Sequence, residues 1–165
     1  MIGAILLLAV SGCNTEKQQN TALNQLPVKK VAIESEDIAE KEGEHTFKVT
    51  IHYPEWQTQS SISKEAEEQI KKHIQYYLLA QDDTLTPNLK QGIAYFREEF
   101  DSLVAHFPNS ALFYEFTSEG KIISRNEELT SLRFDTYKYT GGAHGMHWTT
   151  FLNLISKTGK ALPID

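Results

Sequence analysis

Between residues 62 and 107 apolar side chains recur every three or four positions, and from residue 111 onward they recur every second position. A period near 3.6 lines one face of a helix and a period of two lines one face of a strand. The chain must therefore pass from helices to sheet close to Pro108-Asn109. In the first helical stretch Ile62, Ala66, Ile70, Ile74 and Tyr77 share a face, and Glu67–Lys71 and Glu68–Lys72 support it at i,i+4 spacing. Ser60-Ser61-Ile62-Ser63 offers several N-caps, and Gln81-Asp82-Asp83 closes the helix. Thr86-Pro87 marks a second start, with proline in the first turn. Its stripe of Leu89, Ile93, Phe96, Phe100, Leu103 and Phe107 is core material.

The strands flank these helices. Val28–Ile33 is short and apolar enough to be a first strand, and residues 34–44 read as a charged, solvated connector without calcium-loop spacing. Phe47, Val49, Ile51 and Tyr53 alternate with polar residues, and Pro54 ends that strand or marks an edge. Residues 112–116 form a strand, Ser118-Glu119-Gly120 a turn, and residues 121–124 the returning strand. Leu132, Phe134 and Thr136 belong to another strand, broken by Gly141-Gly142, and Met146–Ile155 to the next, which ends at the turn Lys157-Thr158-Gly159-Lys160. The expected fold is α+β: two amphipathic helices packed on an antiparallel sheet.

The N-terminus reads as an address. Ile5-Leu6-Leu7-Leu8-Ala9-Val10 is too short to span a bilayer but suits a signal-peptide core, although no charged residue precedes Cys13. Val10-Ser11-Gly12-Cys13 resembles a bacterial lipobox, in which cleavage precedes the cysteine and its thiol carries a lipid. The polar run 14–21 follows at once. The expected division is a lipoprotein signal peptide over 1–12, a flexible tether over 13–27 and a folded domain over 28–165, held to a bacterial membrane outside the cytoplasm through Cys13. Cys13 is the only cysteine, which excludes an internal disulfide and a cysteine zinc cluster. With Lys plus Arg at 16 and Asp plus Glu at 22, the net charge is −6, and no basic run is present. Nucleic acid and anionic head groups are poor partners for such a chain.

Tyr137-Lys138-Tyr139-Thr140-Gly141-Gly142-Ala143-His144-Gly145 is the most distinctive run. It resembles the signature of the extracytoplasmic domains shared by RsiV-type anti-sigma factors and PdaC-type peptidoglycan deacetylases. Val49-Thr50-Ile51-His52-Tyr53-Pro54 and Phe151-Leu152-Asn153-Leu154 with the following Lys-Thr-Gly-Lys turn fit the same pattern, so the similarity covers residues 45–165. The family pattern continues beyond Ala161-Leu162-Pro163-Ile164-Asp165, which makes an incomplete C-terminus an expectation. No deacetylase catalytic domain, sigma-binding segment or spanning helix is evident. The resemblance implies an envelope domain, some of whose relatives contact lysozyme or peptidoglycan.

The residues show no catalytic set. No G-x-S-x-G or P-loop spacing occurs, and the adjacent pairs Glu98-Glu99 and Glu127-Glu128 point in different directions. Gly141 and Gly142 permit a sharp turn or could offer N–H groups to a ligand. His144 and His147 lie three apart in a turn-to-strand context, which disfavours a metal pair; His144 reads first as an anchor of the turn. Tyr137, Tyr139 and Trp148 would cluster there as a platform for sugar rings or a protein partner, against the alternative of core packing. The expectation is a lipid-anchored, non-catalytic binding module for peptidoglycan or an envelope protein such as lysozyme, with Tyr137, Tyr139, Gly141, Gly142, His144 and Trp148 as candidate ligand-binding residues and no metal or cofactor. The alternatives are a glycan hydrolase or deacetylase using His144, and a structural remnant without ligand.

Overall fold

A computed structural model describes residues 22–33, 38–40, 45–79 and 88–162. Cys13, the signal-peptide core and the polar run 14–21 lie outside the described residues, as do the expected helix boundaries at 81–83 and 86–87. The strands are β1 (Val28–Ile33), β2 (Ile38–Glu40), β3 (His45–Trp56), β4 (Phe113–Arg125), β5 (Leu129–Tyr139) and β6 (Met146–Ile155). Two helices, α1 (Ser61–Leu78) and α2 (Leu89–His106), stand between β3 and β4. The fold is α+β. The sheet runs β1-β3-β4-β5-β6, with β2 also paired to β3.

The sheet is mixed rather than wholly antiparallel, which corrects the expected arrangement. β3 and β4 pair in parallel, with Lys48 opposite Glu115 and Thr50 opposite Thr117; the remaining pairs are antiparallel. Parallel neighbours need a long crossover, and the two helices supply it.

Both helices cover one face. Ser60 caps α1 through a capping box with Ser63, and Asn88 caps α2 by accepting from the Gln91 N–H. Ile62, Ala66, Ile70 and Ile74 of α1 are buried as expected, with Leu78 buried in place of the partly buried Tyr77; in α2 Leu89, Phe96 and Phe100 are buried and Ile93 and Leu103 partly so. Phe107 departs from its stripe: it follows the last turn of α2 and is 53% exposed. On the sheet, Phe47, Val49, Ile51, Phe116, Leu132, Phe134 and Leu154 complete the core. Phe96 packs against both Phe47 and Phe116, and His73 of α1 against Phe134.

Further expectations change, beginning with the connector over residues 34–44, within which Ile38–Glu40 forms β2. The turn at Ser118-Glu119-Gly120 does not exist, because β4 runs straight through it. Gly120 lies beneath the Phe134 ring, and a Cβ there would sit 2.5 Å from Phe134 Cε1. The real reversal comes at Asn126, whose Oδ1 accepts from the N–H groups of Glu128 and Leu129. Pro54 does not end β3 but lies inside it, opposite Lys30 of β1, at the edge position that was its other reading. The β4 ladder reaches only His52, so Pro54 has a strand on one side alone and its missing N–H costs no second ladder bond. Finally, residues 22–27 belong to the domain rather than to a tether. Leu23 and Leu26 are core residues, the Leu23 N–H donates to Ser156 O, Trp56 Nε1 donates to Leu23 O, and Arg125 donates to Asn24 O and Leu26 O. Among the described residues no helix is long and apolar enough to cross a membrane.

Candidate functional site

The face of the sheet turned away from the helices carries polar and aromatic side chains in cross-strand rows. Strand alternation puts Lys48, Thr50 and His52 of β3 there, together with Glu115, Thr117 and Glu119 of β4. From β5 come Asp135, Tyr137 and Tyr139, and from β6 His147, Thr149 and Phe151. The register sets Thr50, Thr117, Tyr137 and His147 in one row, and His52, Glu119, Asp135 and Thr149 in the next. These two rows line a groove of about 440 Å³.

Each part of the groove has a defined state. The Tyr137 and His147 rings lie 4.5 Å apart between centroids, tilted by 38°, forming one aromatic platform. Asp135 accepts from Arg133 Nη2 at 2.7 Å and from the Thr149 hydroxyl at 2.9 Å. The Arg133 hydrogen bond, then that of Thr149, holds the Asp135 carboxyl below the usual carboxylate range, so it stays an ionised acceptor. Lys121 pairs with Glu119 and Lys48 with Glu115. Among the described residues of this face, three ion pairs set the cations Lys48, Lys121 and Arg133 against the anions Glu115, Glu119 and Asp135.

The glycine loop closes one end of this face. Gly141 and Gly142 adopt φ of 88° and 92°, and neither has a neighbouring atom that a Cβ would meet, so backbone conformation alone calls for glycine. Tyr139 Oη donates to Gly142 O at 2.9 Å, and the Tyr137 ring lies where a Cβ on Gly145 would stand. The two tyrosines therefore anchor the loop. His144, expected to do so, is exposed, and its only described hydrogen bond is a long 3.4 Å contact from Nδ1 to Gly145 O.

Tyr137 and Tyr139 do share a face, as the sequence suggests. Trp148 is among the groove-lining residues, as Tyr137 is and Tyr139 is not, but its ring packs on Tyr77 of α1, toward the helices. His144 is not among the groove-lining residues, whereas His147 is. Thr50, His52, Thr117, Glu119, Asp135 and Thr149 were not singled out from sequence: Thr50 and His52 join the site only through the parallel β3–β4 register, and the other four meet through the antiparallel β4–β5 and β5–β6 ladders. Their polar places in alternating strands were the one available signal. Among the described residues no group of three or more His, Cys, Asp or Glu side chains is placed to hold a metal ion.

The family model described as Deacetylase PdaC matches residues 40–147, which includes β3, both helices, β4, β5 and the groove residues as far as His147. No curated protein matches the chain. Among solved structures, a DUF3298-family protein from Bacteroides fragilis superposes with a TM-score of 0.55 at 17% identity, over 86% of this chain and 60% of its own. A DUF3298-family protein from Pseudomonas aeruginosa superposes with a TM-score of 0.53 at 22% identity, over 83% of this chain and 55% of its own. These likenesses show a shared fold, and this chain spans little more than half the length of either structure. On the family match, the chain belongs to the PdaC family.

Proposed function

We propose that this domain is a non-catalytic recognition module of the bacterial cell envelope that holds peptidoglycan glycan in the groove on its open sheet face. The carrying observation is the groove's chemistry: the Tyr137–His147 ring pair beside three threonine hydroxyls and the fixed Asp135 acceptor. Rings take the apolar face of a sugar, while hydroxyls and carboxylates take its rim. The internal charge balance suits a largely neutral, hydroxyl-rich ligand better than a strongly charged one. Asp135, held ionised by Arg133 and Thr149, suits an acceptor for sugar hydroxyls rather than the protonated acid of glycoside hydrolysis. Anchoring through a lipid on Cys13 fits this role: residues 14–21, at about 3.5 Å each, would reach at most roughly 28 Å from the membrane to the domain.

The test is co-sedimentation of the purified protein with insoluble peptidoglycan, with a parallel assay for released acetate and soluble fragments. Binding should fall roughly tenfold for Tyr137→Ala and persist for His144→Ala, with no product released. Turnover lost on His144→Ala would establish the enzymatic alternative. Binding to lysozyme but not to the glycan would make the partner a protein.

A further inference from the structure

Resting on the glycan reading, we infer that the open face takes a polymer chain along β5 rather than a single sugar, through a second aromatic platform formed by Phe113 and Tyr139. Their ring centroids are 5.7 Å apart, and Phe113 is 37% exposed. Tyr139 follows Tyr137 by two residues, so the second platform lies about 6.7 Å farther along the same strand face.

The two platforms are built alike. The Tyr137–His147 pair adjoins the Asp135–Arg133 ion pair, and the Phe113–Tyr139 pair adjoins Glu115–Lys48, since Glu115 is the cross-strand partner of Tyr139. Each unit offers a ring to a sugar face and a carboxylate with its cation to the sugar rim. Two such units in register along one strand match a ligand that repeats. The Arg133–Phe151 row continues the same face beyond the groove, with Phe151 53% exposed. A ligand filling one unit alone would leave the other's exposed rings unused, whereas a chain covers both at the cost of ordering a single molecule.

The test is calorimetric titration of the full chain with N-acetylglucosamine oligomers from the monomer to the hexamer. Affinity should climb at least tenfold from disaccharide to hexamer. Tyr139→Ala and Phe113→Ala should each remove roughly five- to tenfold of the hexamer affinity and leave the disaccharide affinity within about twofold. Phe113→Ala matters separately because it leaves the Tyr139–Gly142 loop bond in place. Tyr137→Ala should weaken every length. Affinity flat with length, with Tyr137→Ala still damaging, would overturn the polymer inference and spare the groove. Failure of every length to bind the folded wild-type chain would overturn the groove reading and this inference with it.

Discussion

His73 is the histidine whose chemistry burial alters most. It lies on α1 with its ring against Phe134 and Tyr77, and Nε2 meets the Thr150 hydroxyl at 2.8 Å. Burial lowers its pKa from 6.5 to about 4, because the surroundings do not solvate an imidazolium. The unfolded chain therefore binds this proton more readily, and stability present above pH 6.5 should be lost as pH falls toward 4. The full loss is on the order of 3 kcal/mol. Asp135 acts in a lower window: its depressed pKa gives stability above its ordinary 3.8 that fades only below that value. Urea unfolding between pH 7 and 4 should show the upper loss in the wild type and a flattened slope in His73→Gln. Parallel curves would contradict the assignment. The periodicity of residues 62–77 marks the helix around His73 but not the enclosure of its ring, which Phe134 and Thr150 complete from distant strands.

Strand β4 shows where a local pattern misleads. Ser118-Glu119-Gly120 has turn composition, yet the chain stays extended because Gly120 gives up its side chain to the Phe134 ring. A turn glycine and a packing glycine look alike in sequence; only the facing residue separates them. Gly120→Ala should cost about 2–3 kcal/mol in denaturant unfolding, since the new methyl overlaps a ring fixed in the core. Gly141→Ala should cost about 1 kcal/mol through backbone conformation alone. Equal costs at both positions would place Gly120 in a turn after all. Both helices, β1, β5 and β6 were legible from period and punctuation. The β3–β4 pairing was not, because nothing local to either strand announces a parallel neighbour across two helices. Since that pairing brings Thr50 and His52 to the groove, the groove was legible only at Tyr137 and, beside it on β6, Trp148.

The whole molecule is a two-layer unit whose N-terminal segment belongs to its core. Leu23 is fully buried and tied at both backbone ends, by Ser156 O and by Trp56 Nε1. Composition offered no warning, since two leucines among polar residues and one proline resemble a linker. Leu23→Ala in the full chain should cost about 2–4 kcal/mol in thermal or denaturant unfolding; a change below about 0.5 kcal/mol would return residues 22–27 to the tether. The helices cover one side of the sheet, and the proposed glycan site lies on the other, ring-bearing side. Amide shift mapping by NMR during titration with soluble peptidoglycan fragments addresses that directly. Saturable shifts should centre on Thr50, Thr117, Asp135, Tyr137, His147 and Thr149 and spare the outer surfaces of α1 and α2. Shifts confined to the helices or to the loop around His144, or none at millimolar fragment, would contradict recognition on the open sheet face.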